Sequence, residues 1–209
     1  GRDRGSGGSS SVKESITFCA RALRSLGVAN GCHPPLSAEL LRQAKFDNPD
    51  AVRTLRRALH DLALLHLAGF PPSSSASDAT SVLDAFWTQA VQKFPPPTDN
   101  ATASLPAPAA LFLHHCLHEW GCPLQELLLA GRAGSGPVSS RLLLLALGWL
   151  AAHTNCLQLA VDRQAAALHL THSRSSPAGS TCSSLLPPWP DDVSGVAEAL
   201  VAGEVAAKA

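Results

Sequence analysis

The sharpest chemistry on offer in this sequence is metal ligation by His114, His118 and Cys122. If one helix ran through all three, their spacing of four would put two imidazoles and a thiolate on one face, a soft donor set that suits zinc. Gly121 and Pro123 interrupt such a helix, and no fourth ligand stands at a fitting distance. The expectation is therefore ordinary helix histidines, with no metal and no other cofactor.

Two further constellations invite a catalytic reading and do not sustain it. Gly131-Arg132-Ala133-Gly134-Ser135-Gly136 is glycine-rich like a phosphate loop, but it lacks the Lys-Ser/Thr that completes one and Pro137 follows directly. It reads as a turn between helices. Nucleophilic catalysis needs a Ser or Cys held against a base. Cys116 follows His115, but adjacent residues on a helix point about 100° apart and do not meet. Carboxylates are sparse, and no pair sits in an apolar setting that would tune an acid against a base. The chain reads as one that is not an enzyme.

Arg42, Lys45, Arg53, Arg56, Arg57 and His60 form the other cluster. They are either a solvated helix face or a docking patch for an acidic protein partner. The cluster is read as having no interleaved aromatic residue, which argues against single-stranded nucleic acid.

The elements that must hold these residues are helices. Residues 12–26 place Val12, Ile16, Cys19, Leu23 and Leu26 on one stripe, and Gly27 ends the helix. Ser37, preceded by two prolines, caps a short helix to about residue 45. Asn48 caps a third, with Pro49 in its first turn, reaching residue 68. Its stripe is Val52, Leu55, Leu59 and Leu62, and Leu64, Leu65 and Leu67 make its second half apolar almost all round, so this end is expected to be buried on several sides. Residues 78–94 carry Val82, Phe86, Trp87 and Val91, and residues 109–120 and 123–130 read as two more helices. Ser139 or Ser140 caps a seventh, broken near His153-Thr154-Asn155 and continuing toward residue 170. No period-two alternation is sustained, so the fold class is all-α: a compact multi-helix domain over residues 12–172. Around it are expected a flexible Gly/Ser tail at 1–11, a mobile Pro-rich loop at 95–108, a Ser/Pro linker at 173–190 and a truncated helix at 191–209.

Composition bounds the function. Hydrophobic residues at 45% are enough for a packed core. Charged residues at 15% are few for a free-standing domain, which suggests that a partner covers part of the surface. The balance of 16 basic and 16 acidic residues argues against nucleic acid or anionic lipid as the main partner. Residues 142–161 carry no Asp, Glu, Lys or Arg, a membrane-spanning length. His153, Thr154, Asn155 and Gln158 would be costly in lipid, so a buried core helix is expected. The six cysteines are scattered in a chain large enough to have a core, and read as reduced thiols in an intracellular protein. Without a secretory signal at the start, Asn100-Ala101-Thr102 reads as a chance glycosylation match. With no Met and Gly1 at its start, the sequence reads as a fragment or processed form.

Two stretches carry a resemblance. Lys45-Phe46-Asp47-Asn48-Pro49, leading into a leucine-rich helix, resembles a signature of the divergent calponin-homology-like domains of centrosomal, augmin and kinetochore proteins. RLLLLALGWL at 141–150 is similar to a later hydrophobic helix of such domains, in which a Trp packs in the core. With LFLHHCLHEWGCPLQELLL at 111–129, the chain resembles the tubulin epsilon and delta complex protein family of centrioles. That resemblance implies a non-catalytic scaffold in the cytoplasm at the centrosome and centriole. Its partners would be epsilon-tubulin, delta-tubulin and a second complex subunit, and its role the stability of triplet microtubules and cilium formation. The loop at 95–108 departs from a compact calponin-homology plan. The alternatives are a helical adaptor with unrelated partners and a zinc-binding helical protein.

Overall fold

The computed structural model describes residues 7–70, 78–95, 108–124 and 139–172. Among them the structure is all helical: α1 (Gly7–Ser25), α2 (Ala38–Ala44), α3 (Asp50–Ala68), α4 (Asp78–Lys93), α5 (Pro108–Glu119), α6 (Ser140–His153) and α7 (Cys156–His172). The rest of the helix expected at 123–130, the Gly-rich turn, most of the Pro-rich loop, the linker and the final helix lie outside the described residues, as does Cys182.

Helix α3 is the centre. Its neighbours are α2, α5 and α6, and every residue from Ala58 to Leu65 is buried. The side chains of Leu55, Leu59, Leu62 and Leu65 have no exposed surface at all. Each such leucine contributes about 1.5–3 kcal/mol by leaving water. The expected stripe is therefore present, with Val52 only half-buried, and the all-round apolar second half is what lets three helices pack on one.

Local chemistry sets the helix ends. Gly27 N–H donates to Arg24 O at 2.9 Å and Val28 N–H to Leu23 O at 3.1 Å. With Gly27 at φ 78°, this is the Schellman pattern that closes α1. Ser37 Oγ accepts from Leu40 N–H at 3.2 Å and caps α2. Asn48 Oδ1 accepts from Asp50 N–H at 3.0 Å and opens α3 as expected, although Pro49 is already in helical conformation.

Two stripes differ from expectation. Helix α1 begins at Gly7, five residues before the predicted start, within the expected tail. Val12 is 59% exposed on it, while Leu23 and Leu26 are buried. The neighbours α2 and α7 cover only the later turns. On α4 the buried side chains are Leu83, Phe86 and Ala90, with Phe94 just beyond, and Val91 is 43% exposed. The helix is rotated so that the Trp87 indole N–H donates to Leu26 O at 3.1 Å.

Asn155 takes a left-handed conformation at φ 52° and separates α6 from α7, at the break expected there. No single described helix is long and apolar enough to cross a membrane; α6 with residues 156–165 of α7 passes that test only as a pair bent by 59°. Leu143, Ala146, Leu147, Leu150, Cys156 and Ala160 of this pair lie in the core.

Candidate partner-docking face

The basic cluster is carried by the end of α2 and the first half of α3, joined by the turn at 46–49. Arg42 is exposed in the last turn of α2 and ion-paired with Glu39. Lys45 follows, its ammonium 5.9 Å from the centre of the Phe46 ring. Phe46 is 81% exposed, the most exposed large apolar side chain among the described residues. Arg53 and Arg56 are exposed on α3.

The remaining two predicted members face elsewhere. His60 is 2% exposed, its ring meeting Phe112 edge-on at 5.5 Å. It is therefore not part of the face. It lies one turn beyond Arg56, where α3 is already enclosed on all sides, a depth that a basic residue pattern does not reveal. Arg57 is half-buried, and its guanidinium Nε donates to Asp61 at 2.7 Å. Asp61 is 1% exposed and also accepts Ala29 N–H at 2.9 Å. Arg57 thus supplies the countercharge for a buried carboxylate that ties the first loop to the central helix. The face reduces to Arg42, Lys45, Arg53 and Arg56, and the exposed Phe46 beside Lys45 is an interleaved aromatic that the reading of the cluster missed.

The structure does not bring His114, His118 and Cys122 together as the zinc alternative would need. Gly121 N–H donates to His118 O at 3.0 Å and Cys122 N–H to Leu117 O at 2.8 Å, a second Schellman closure with Gly121 at φ 70°. The closure turns Cys122 inward to 1% exposure, while the His118 side chain is 61% exposed beside Glu119. The His114 and His118 rings are 6.2 Å apart. Among the described residues no group of three or more His, Cys, Asp or Glu side chains is placed to hold a metal ion.

The thiols are held in their neutral form. Burial pushes Cys116 up to about 12 and raises Cys122 and Cys156 above the usual thiol value. Neutral, enclosed thiols are poor nucleophiles. His115 is exposed where Cys116 is buried, so the adjacent pair faces opposite ways.

A ring cluster that the sequence pattern did not single out lies where α3, α5 and α6 end. His66 meets Trp120 edge-on at 4.7 Å and His153 at 5.5 Å, and His153 stacks on Trp149 at 4.8 Å. Trp149, expected in the core from the resemblance, is half-buried. Burial, and then the charge of His153, hold His66 below the usual imidazole value.

No known family, curated protein or solved structure matches the chain.

Proposed function

We propose that this chain is a non-catalytic helical scaffold that docks an acidic protein surface through the α2–α3 face, in the manner of a tubulin-associated centriolar subunit. The observation that carries the reading is the exposed Phe46 beside Lys45, in the turn that joins Arg42 of α2 to the exposed Arg53 and Arg56 of α3. An exposed aromatic with cations on the flanking helices has the make-up of an interface centre with a steering rim. The high values of the buried thiols support a non-catalytic role. The tubulin-associated reading is suggested by the resemblance that the 111–129 segment carries, together with the calponin-homology-like signature that contains Lys45 and Phe46. Epsilon-tubulin, delta-tubulin and a second complex subunit are the partners this reading names, at the centrosome and centriole.

Affinity capture of the tagged chain from dividing ciliated cells tests the reading. Recovery of epsilon- or delta-tubulin is expected, with loss on Arg53→Glu/Arg56→Glu and on Phe46→Ala. Recovery of neither tubulin sinks the family assignment. Recovery that survives both variants removes the face.

A further inference from the structure

A second concave site lies at the end of α1, built from residues the basic face does not use. The turn after α1 alternates in handedness, with left-handed residues at Gly27 (φ 78°), Ala29 (φ 56°) and Gly31 (φ 76°). The N–H groups of Gly27, Val28, Asn30 and Cys32 bond to backbone carbonyls and that of Ala29 to the Asp61 carboxylate, so side chains supply the groove's charge. Residues 28–32 of the turn, with Arg21, Arg24 and Ser25 of α1 and Pro35 and Leu36, line a groove of about 480 Å³. The groove is half open to solvent, a shape that an extended segment can lie in.

The lining is unbalanced in charge. Arg21 and Arg24 stand one helical turn apart along it, and no Asp or Glu is among the lining residues. Neither arginine is ion-paired among the described residues. Asp61, the carboxylate tied to this turn, is already held by Arg57 and the Ala29 N–H. A guanidinium accepts a carboxylate through two parallel hydrogen bonds, so two of them in series match consecutive acidic side chains. Pro35, Val28 and Cys32 supply apolar wall that a bare phosphate would not use.

We propose that this groove binds a short acidic peptide segment of a partner protein, with its carboxylates on Arg21 and Arg24. The site does not rest on the tubulin-associated reading and stands or falls separately from it.

The experiment is fluorescence anisotropy of a labelled polyglutamate peptide with the full chain, against a polyglutamine peptide of equal length. The glutamate peptide should bind and the glutamine peptide should not. Arg21→Glu/Arg24→Glu should weaken binding by about tenfold or more, because both residues turn from attraction to repulsion. Circular dichroism keeps loss of fold apart from loss of site, and both arginines are exposed. Bound peptide should also slow alkylation of Cys32, followed by mass spectrometry. Absence of binding overturns the proposal, as does binding that Arg21→Glu/Arg24→Glu leaves unchanged. Displacement by an equal concentration of inorganic phosphate would reassign the groove to phosphate and overturn the peptide.

Discussion

Asp47 and Ser139, 92 positions apart, are joined by a hydrogen bond of 2.7 Å from the serine hydroxyl to the carboxylate. The same oxygen lies 3.4 Å from Ser140 Oγ and from Arg141 N–H. A side chain from the turn before α3 therefore caps the start of α6, and the negative charge sits at the positive end of that helix. The turn and the helix are docked by this contact, because Ser139 itself makes no side-chain cap bond.

The Ser139 hydroxyl, the largest cause, holds the Asp47 carboxyl below its ordinary value of 3.8. A carboxyl with a lowered folded value contributes stability that is present above 3.8 and is lost as the pH falls through the folded value. Asp47→Asn should then melt below the unsubstituted chain at neutral pH, and the two should converge in acid. Thermal unfolding at a series of pH values checks this; a constant gap across the series would refute the charge argument.

Gly27 is required twice over. Its φ of 78° disfavours any side chain, and a Cβ placed there would stand 2.1 Å from Trp87 Nε1. Gly31 has a similar φ of 76° with open space around it. Gly31→Ala should cost only the backbone term, about 1–2 kcal/mol. Gly27→Ala should cost about 2–4 kcal/mol, since the indole must also move. Urea unfolding of the pair isolates the Trp87 contact as their difference, and equal costs would remove it.

The helices were legible because their signals are local. Ser37, Asn48, Gly27 and Gly121 punctuate the chain by side-chain or left-handed chemistry within a few residues, and the leucine spacing of α3 marks its buried side. The Arg57–Asp61 pair is written in a spacing of four as well, yet the sequence reading places Arg57 on the basic face and does not pair it. What could not be read depends on where one helix meets another. His60 looks like one more basic residue on a helix, and only the position of Phe112 on α5 places it in the core. The rotation of α4 follows from Leu26 O, 61 positions before Trp87, and the Asp47 cap from a helix that starts 93 positions later. The interruption of the His114, His118 and Cys122 spacing was legible too, because Gly121 ends the helix by local chemistry.

His60 is buried with Nδ1 3.3 Å from Asp61, while Nε2 has no hydrogen-bond partner among the described residues. An unpaired buried nitrogen costs about 1–3 kcal/mol. Asp61 would keep Arg57 and Ala29 N–H if the imidazole were removed. His60→Leu, close in volume, should raise stability by about 1 kcal/mol in urea unfolding. It should also leave partner capture unchanged, since the residue is not on the docking face. A loss of capture in a folded variant would return His60 to that face.

The ring cluster makes stability depend on mild acid. His66 is held below 6.5 first by burial and then by repulsion from His153. The unfolded chain therefore takes up a proton at this position before the folded chain does. Unfolding is then favoured as the pH drops below 6.5, and the neutral ring costs nothing above it. The unfolding free energy should fall as the pH drops below 6.5, and His66→Leu should flatten that slope. His153→Ala removes only the second cause, so it should flatten the slope in part. Trp120 and Trp149 touch these imidazoles, so their fluorescence should report the same titration before unfolding begins. An unchanged slope in His66→Leu would place the acid sensitivity elsewhere.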